Sequence, residues 1–249
     1  MRVIISGGGT GGHIYPAIAV ANVIRSRVPH AEILFIGGKN GLENDIVPKA
    51  GYNISNIRVS YLKRKLSLHN LKSGAMLIGA LWQARKIIRK FKPDIVIGTG
   101  GFVSGPVVYI ASKMGIKTLI HEQNVYPGLT NKILNKYVNK VAISFQESRR
   151  HFKNKDNLVL TGNPIRKDFF ENPALAEIKK HKSHGGKPLV LIVGGSGGSI
   201  SINQAVMEMM IDYPQNFFEI LLVTGKNHYN KIKNISEKHK GTIGNNKIV

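Results

Sequence analysis

The sequence predicts an α/β protein with two Rossmann-like units, each a parallel sheet covered by helices. First, short apolar runs rich in β-branched residues alternate with longer amphipathic stretches, as in parallel sheets that are buried on both faces. Second, several of these runs end in glycine-rich turns, which commonly lead from a strand into a helix. Third, the alternation pauses at a polar, glycine-containing connector, Lys179–Lys187, and then begins again.

The elements of the first unit follow from this alternation. Strands are predicted in the short apolar runs, which are Arg2–Ser6, Glu32–Ile36, Asn53–Val59, Asp94–Gly98, Lys117–His121, Lys140–Ile143 and Leu158–Leu160. Helices are predicted in the amphipathic stretches between them, which are Tyr15–Arg27, Leu68–Phe91, Gly105–Met114, Gly128–Tyr137 and Phe145–His151.

The second unit repeats the pattern over a shorter length. A helix is predicted to start at Glu171, before the connector. Beyond it, the predicted elements are a strand at Pro188–Val193, a helix at Ser201–Ile211, a strand at Phe217–Val223, a helix at His228–Lys240 and the opening of a strand at Lys247. A doubly wound unit usually carries about five or six strands, so we expect the chain to be truncated inside this unit. The domains are predicted at residues 1–163 and 164–249.

Composition excludes several classes of protein and site. The chain has no cysteine, which excludes disulfide frameworks, thiolate zinc sites and cysteine nucleophiles. No stretch approaches the ~18 uninterrupted apolar residues of a transmembrane helix. Met1 leads directly into a predicted strand rather than into a secretory signal. A cytoplasmic protein is the simplest expectation.

The net charge indicates anionic partners. Lysine and arginine number 36 against 14 acidic residues, a formal net charge of +22, and no acid lies between Asp45 and Asp94. Such a charge attracts nucleic acid, an anionic membrane surface or phosphorylated substrates, although scattered lysines are equally consistent with a solvated surface. A specific nucleic-acid-binding module is disfavoured, because aromatic residues make up 7% of the chain and the basic block carries no recognition-helix or stacking motif.

Three strand–glycine–helix turns suggest a ligand that contains phosphate. They are the segments Val3–Gly12, Ile95–Phe102 and Leu191–Gly198. Glycines at such turns allow backbone N–H groups to approach an anion at the helix N-terminus. The first turn also has the G-x-G-x-x-G spacing of a dinucleotide fingerprint, at Gly7, Gly9 and Gly12. Because the next strand ends in two glycines instead of an acid for the ribose, a dinucleotide-dependent oxidoreductase is only the alternative.

Two residues stand where a general base and an anion-binding group would be useful. His13 follows the first glycines at a helix N-terminus, whose dipole favours the neutral imidazole of a general base; simple capping of the helix is an equally good explanation. Arg166 follows Gly162-Asn-Pro164 at the junction of the units, where an arginine can bind an anion, but alone it would more often be a surface ion pair. Aspartates never pair as Asp-x-Asp, so we predict no metal and no cofactor.

The motifs, taken in order, resemble one family. They are Gly8–His13 with Pro16, Gly100–Pro106, His121–Asn124, Pro127–Asn131, Gly162–Arg166 and Gly194–Ser196. This ordered set spans essentially the whole chain and resembles the MurG family of bacterial N-acetylglucosaminyltransferases, in glycosyltransferase family 28. The resemblance implies the GT-B architecture, in which two Rossmann-like domains face a cleft. It also implies inverting transfer of N-acetylglucosamine from UDP-N-acetylglucosamine to the C4 hydroxyl of lipid I, giving lipid II for peptidoglycan.

The resemblance implies roles for the first glycine loop. Thr10, Gly11 and Gly12 would line the cleft near the sugar nucleotide and the diphosphate of the acceptor. His13 would be the general base of the transfer. A single displacement needs no carboxylate nucleophile, so one base is sufficient for the inversion.

The resemblance also implies a donor site. Asn124, Arg166 and Ser196 would contact UDP-N-acetylglucosamine. Gly197 stands where many members of the family carry glutamine, which changes the side chain at a donor-facing turn. Complete members continue well beyond Val249, so an inactive fragment of the transferase is a further alternative.

A docking face for a lipid-linked acceptor is predicted on the helix Leu68–Phe91. Its apolar residues recur at helical spacing and its second half is basic, which suits an anionic bilayer surface; packing of the apolar stripe on the sheet is the other interpretation. The stripe contains Leu71, Ala75, Ile78 and Trp82, with Leu77 and Leu81 beside them. The membrane-facing residues are predicted to be Ile78, Leu81, Trp82, Lys63, Arg64 and Lys65. We expect peripheral association with the cytoplasmic side of the cell membrane.

Overall fold

The computed structural model divides the chain into two compact units, Met1–Phe170 and Glu171–Val249. It describes residues 1–59, 68–166, 187–195, 197–213, 217–244 and 246–249, and for residues 68–75 the backbone alone. The helix predicted to start at Glu171 lies outside the described residues, as do Lys63, Arg64, Lys65 and Ser196. The predicted domain boundary after residue 163 stays a prediction.

The first unit contains one parallel sheet of seven strands in the order β3-β2-β1-β4-β5-β6-β7. The strands are β1 at Arg2–Gly7, β2 at Glu32–Gly38, β3 at Asn53–Ile57, β4 at Ile95–Gly100, β5 at Lys117–Glu122, β6 at Lys140–Ile143 and β7 at Leu158–Leu160. The chain order reverses between β1 and β4, which is the topological switch point where α/β sheets bind ligands. The predicted α/β class with a parallel sheet is confirmed.

Helices cover both faces of this sheet. They are α1 at Gly11–Arg27, α2 at Glu43–Lys49, α3 at Leu68–Phe91, α4 at Ser104–Lys113 and α5 at Leu129–Leu134, followed by a 3₁₀ helix at Gln146–His151. Alternate residues of β1 enter separate cores: Val3 and Ile5 pack with α1 and α2, while Ile4 packs with α3 and α4. The rigid sheet therefore fixes where each strand-to-helix loop begins.

In the first unit, the structure differs from the sequence prediction at four helices. Helix α1 begins at Gly11 instead of Tyr15, because Thr10 is extended (φ −140°) and the poor helix formers Gly11 and Gly12 form the first turn. Helix α2 was not predicted, since it has only seven residues and includes Pro48. The stretch Phe145–His151 is a 3₁₀ helix rather than an α-helix.

Helix α5 ends at Leu134, short of the predicted Tyr137. The cause is a buried asparagine pair that takes over the helix end. Asn157 donates from Nδ2 to the carbonyl of Asn135 at 2.9 Å, and Asn135 donates from Nδ2 to Oδ1 of Asn157 at 3.0 Å. These bonds satisfy groups that a longer helix would have used.

Helix α3 separates its buried and exposed faces clearly. Ala80, Ala84 and Ile88, four residues apart, are fully buried against the sheet. Ile78 and Trp82 are 62% and 71% exposed. Ile78 and Trp82 therefore do not lie on the face of α3 that packs on the sheet, while the side chains of Leu71 and Ala75 lie outside the described residues.

The second unit is a smaller parallel sheet, in the order β10-β9-β8. Its elements are β8 at Leu189–Val193, α6 at Ile200–Asp212, β9 at Glu219–Val223, α7 at Tyr229–Lys238, α8 at Lys240–Ile243 and β10 at Lys247–Ile248. The predicted helix His228–Lys240 is thus divided into α7 and α8 at His239. Met207, Met210, Ile220 and Leu222 form its core. Among the described helices of the whole chain, none is both long and apolar enough to span a membrane.

We expect the two isoleucines of α3 to differ sharply in their effect on stability. Ile88→Ala should lower the free energy of unfolding of the first unit by ~2–5 kcal/mol, because Ile88 is completely buried. Ile78→Ala, the same change on the exposed face, should stay within ~0.5 kcal/mol. Urea titration followed by the fluorescence of Trp82, the single tryptophan of the chain, measures both. Equal losses would contradict the orientation of α3.

Candidate functional site

Three loops meet at the carboxyl edge of the first sheet, after β1, β4 and β5. The first glycine loop lies against Gly100 and Gly101 at the end of β4, with the two backbones in direct contact. The N–H of Gly8 donates to the carbonyl of Gly100 at 3.4 Å, and a Cβ at Gly101 (φ +83°) would collide with the carbonyl of Gly8. A side chain at Gly101 would therefore push the two loops apart.

His13 lies in the first turn of α1 with its ring oriented by the loop. Its Nδ1 is 3.0 Å from the carbonyl oxygen of Gly8 and 3.3 Å from Oγ1 of Thr10. Because a carbonyl can only accept, Nδ1 carries the hydrogen, and the lone pair of the neutral ring is on Nε2. The ring also packs on Gly100, where a Cβ would come within 2.7 Å of Cδ2. His13 bonds a carbonyl here rather than a first-turn N–H, so capping does not explain its position.

The helix N-terminus beside His13 offers hydrogen-bond donors. Thr10 and Gly12 are exposed, whereas Gly11 is buried. The N–H groups of Gly11 and Gly12 belong to the first turn of α1 and have no acceptor within the helix. Such groups, at the positive end of a 17-residue helix, can hold an anionic oxygen.

A cavity of about 590 Å³ lies next to this loop. Its lining includes Gly8, Gly9, Lys39, Glu43, Arg58 and Phe102. Lys39 and Arg58 are exposed cations, while Glu43 is buried. Sequence reasoning did not find Glu43; the only signal was a lone acid among Gly37, Gly38 and Gly41.

Asn124 lies in the exposed loop after β5, organised by the buried carboxylate of Glu122. The Nδ2 of Asn124 donates to Oε1 of Glu122 at 3.0 Å, and its backbone N–H donates to the same oxygen at 2.9 Å. The other oxygen of Glu122 accepts from Gly128 N–H at 3.1 Å and from Nδ2 of Asn131 at 2.8 Å. Glu122 therefore ties the Asn124 loop to the start of α5, a role that sequence reasoning missed.

His121 connects the end of β5 to the turn that leads to Arg166. Its Nε2 is 3.1 Å from the carbonyl oxygen of Gly162 and 3.3 Å from Oγ of Ser144. Burial lowers the pKa of His121, although the Gly162 carbonyl and the carboxylate of Glu122 oppose this shift. The neutral ring thus donates from Nε2 to Gly162.

Arg166 lies against α1, next to the first glycine loop. Its guanidinium carbon is 4.7 Å from the ring centre of Tyr15, two residues after His13, in a cation–π contact. The structure therefore brings Arg166 to the helix that begins with Thr10, Gly11, Gly12 and His13.

The second unit has its own glycine loop, after β8. A Cβ at Gly198 (φ +77°) would collide with the carbonyl of Thr224, so this loop also packs directly on backbone. Ser199 accepts from Ile202 N–H at 3.4 Å and begins α6. Among the described residues of both units, no group of three or more histidine, aspartate or glutamate side chains is placed to hold a metal ion.

Comparison with known sequences gives one consistent family. Residues 3–143 match the model of the glycosyltransferase family 28 N-terminal domain. The chain is 58% identical over 246 residues to a protein of Alkaliphilus oremlandii, covering 96% of this chain and 67% of that protein. It is 54% identical over 249 residues to a protein of Alkaliphilus metalliredigens, covering 100% of this chain and 68% of that protein. Both are named UDP-N-acetylglucosamine–N-acetylmuramyl-(pentapeptide) pyrophosphoryl-undecaprenol N-acetylglucosamine transferase. The chain thus spans about two thirds of their length.

Solved structures share the fold. Acinetobacter baumannii MurG superposes with a TM-score of 0.69 at 24% identity, covering 100% of this chain and 67% of that one. A UDP-GlcNAc 2-epimerase from Neisseria meningitidis, bound to UDP-GlcNAc, gives 0.65 at 14% identity, covering 100% and 72%. At these identities the likeness concerns the fold alone.

We expect His121 to make stability depend on pH. Its folded-state pKa lies below the ordinary value of about 6.5, so the unfolded state binds more protons. The contribution of neutral His121 to the free energy of unfolding should therefore be fully present above about pH 6.5. It should be lost as the pH falls toward and through the folded-state pKa. His121→Gln keeps a donor for Gly162 but does not titrate, so it should lose less stability between about pH 7 and pH 5. Urea titrations across this range test the difference; parallel losses in the two proteins would rule out His121 as the cause.

Proposed function

Because the chain belongs to glycosyltransferase family 28, we propose that it acts as the hexosyltransferase that converts lipid I to lipid II. In this reaction N-acetylglucosamine passes from UDP-N-acetylglucosamine to the C4 hydroxyl of lipid I, with inversion. The observation that carries the proposal is the 58% identity, over 96% of the chain, to a relative named for this transfer. Roles in cell-wall biogenesis, cell shape, cell division and the cell cycle would follow from the product.

His13 is proposed as the base that takes the proton of the acceptor hydroxyl. Its support is the fixed tautomer: with Nδ1 held by the Gly8 carbonyl at 3.0 Å, the basic lone pair is on Nε2. The neutral ring accepts the proton as the hydroxyl oxygen attacks the anomeric carbon and the bond to UDP breaks. One displacement at that carbon inverts its configuration.

Stabilisation of the departing UDP is proposed for groups that donate hydrogen bonds. The N–H groups of Gly11 and Gly12, with Thr10 beside them, suit the phosphate oxygens. Arg166, held beside Tyr15, is proposed to bind the diphosphate charge. Asn124 and Ser196 are proposed as further contacts to the donor. These donors make a metal or other cofactor unnecessary in this proposal.

The dinucleotide-dependent oxidoreductase is not favoured. In that class the amide of the middle fingerprint glycine faces the pyrophosphate, and an acid after the second strand binds the ribose. Here Gly9 donates its N–H to Glu43 at 3.0 Å, which removes that amide from ligand binding. Glu43 is itself only 2% exposed and its two oxygens accept from Gly9 and Gly38, so its carboxylate does not offer a ribose contact.

Peripheral association with the cytoplasmic side of the cell membrane is also proposed, because a lipid-linked acceptor stays in the bilayer. Its support is the exposed face of α3, on which Ile78 and Trp82 stand with the half-buried Leu81. Arg85, Lys86, Arg89 and Lys90 follow on the same helix, and Lys63, Arg64 and Lys65 precede it in the sequence. An exposed tryptophan beside basic residues suits an anionic headgroup region.

The proposed transfer is tested directly with radiolabelled UDP-N-acetylglucosamine and lipid I. The wild-type protein should form labelled lipid II, and His13→Ala should lower kcat by ~10²–10⁴ because the hydroxyl loses its base. His30→Ala, which changes an exposed histidine, should turn over like the wild type. No product from the wild type would contradict the function and favour an inactive fragment. Full turnover by His13→Ala would remove His13 as the base.

The membrane proposal is tested by flotation with liposomes. Binding should require anionic lipid and fall as salt rises, since each nearby Lys or Arg contributes ~1 kcal/mol. Trp82→Ala and the triple change Lys63→Glu, Arg64→Glu and Lys65→Glu should both reduce flotation. Tyr213→Ala, which removes a 69% exposed aromatic ring of the second unit, is the matched control. Equal flotation of all variants would refute this face.

A further inference from the structure

The carboxylate of Glu43 is buried directly beneath the first glycine loop. Glu43 is the first residue of α2 and is 2% exposed. Its Oε2 accepts from Gly9 N–H at 3.0 Å, and its Oε1 accepts from Gly38 N–H at 2.8 Å. One side chain therefore joins the loop after β1 to the end of β2.

Three glycines, one after β1 and two near the end of β2, make room for this carboxylate. A Cβ at Gly8 or at Gly41 would collide with the carboxylate oxygens of Glu43. A Cβ at Gly37 would lie 2.6 Å from its Cγ, closer than real side chains approach. Gly8, Gly37 and Gly41 thus form a cage that fits the Glu43 carboxylate.

The local arrangement explains how a carboxylate can be buried there. Removal of a carboxylate from water is costly unless hydrogen bonds replace the lost solvation. Within the described residues, the ion pair formed is Arg2 with Glu32, so no cation is paired with Glu43. The N–H groups of Gly9 and Gly38 replace the hydrogen bonds that the carboxylate would make with water. Hydrogen bonds to a charged carboxylate are stronger than those between neutral groups.

Glu43 and His13 are linked through the peptide group between Gly8 and Gly9. Gly9 is held by Glu43, and the carbonyl of the preceding residue, Gly8, accepts from Nδ1 of His13 at 3.0 Å. The position of Gly9 therefore sets the position of the carbonyl that orients the imidazole. Glu43 is buried and both of its carboxylate oxygens bond the backbone, so we do not expect it to contact the substrate directly.

We propose that Glu43 is a positioning residue for the transfer reaction: its carboxylate holds the first glycine loop in the conformation that orients His13. This inference rests on the proposed function and adds to it a residue that acts through the loop. Both oxygens of the carboxylate accept from backbone N–H groups, so its replacement acts through the position of the loop and of His13.

The test replaces the carboxylate by an amide of the same shape. In Glu43→Gln, the NH₂ group faces either Gly9 N–H or Gly38 N–H, so two donors oppose each other and one hydrogen bond is lost. Asp45→Asn is the matched control, because Asp45 is an exposed acid two residues further along the same helix. Gly41→Ala is a second variant, which displaces the carboxylate while keeping its charge.

Two measurements decide the proposal. Glu43→Gln and Gly41→Ala should lower kcat by up to ~10²-fold, the cost of a misplaced catalytic group, and by a larger factor than they raise KM for UDP-N-acetylglucosamine. In ¹H–¹⁵N spectra of Glu43→Gln, the amide proton that faces the NH₂ group, of Gly9 or of Gly38, should lose its hydrogen-bonded shift, whereas both should keep theirs in Asp45→Asn. If Glu43→Gln does not fold, the kcat and KM of Gly41→Ala decide.

The outcomes separate this inference from the proposed function. Wild-type kcat in both variants, or unmoved Gly9 and Gly38 resonances in Glu43→Gln, would overturn the positioning role. A loss confined to KM for UDP-N-acetylglucosamine would also overturn it, because it would indicate a donor contact. If the wild type transfers no sugar, the proposed function fails, and the spectra still decide whether Glu43 holds the loop.

Discussion

The site of the first unit depends on a direct backbone contact between two glycine loops, one after β1 and one after β4. At the switch point of the sheet, the loop after β1 lies on Gly100 and Gly101, and the ring of His13 fills the space that a side chain at Gly100 would take. This contact allows α1 to begin beside the end of β4, so that its free N–H groups and the imidazole share one edge. Glu43 supports the loop from below, and Arg166 approaches the same helix at Tyr15. The proposed anion-binding groups and the proposed base are thus neighbouring residues of the sequence.

Much of this arrangement could be predicted from local sequence. The runs of β-branched residues fix the strands, and parallel strands bring the loops that follow them to one edge. The pattern Gly7–Gly12 therefore predicts a binding site at this edge of the sheet. On α3, spacing alone left open whether the stripe with Ile78 and Trp82 packs on the sheet or faces outward. The structure buries Ala80, Ala84 and Ile88 against the sheet, where the two small alanines allow a close approach, and this leaves Trp82 outside.

The polar interior of the site could not be predicted in the same way. Glu43 is 34 residues from Gly9, and His121 is 41 residues from Gly162, so no periodic pattern links the partners. Such side chains are recognised only when folding brings a donor and an acceptor together. The two glycines at the end of β2 argued against a ribose site in the sequence, and the structure explains why glycine stands there. Gly37 leaves room for the side chain of Glu43, and Gly38 donates its N–H to the carboxylate.

The close approach of the loops is tested most directly by comparing Gly101→Ala with Gly115→Ala. Both glycines have a positive φ, +83° and +74°, but an added Cβ meets the Gly8 carbonyl only at Gly101 and nothing within 4 Å at Gly115. Both variants should therefore lose a similar ~1–2 kcal/mol from backbone conformation. Only Gly101→Ala should also lose transferase turnover, by more than about tenfold, because the loop that orients His13 is displaced. Equal kcat values for the two variants would contradict the account.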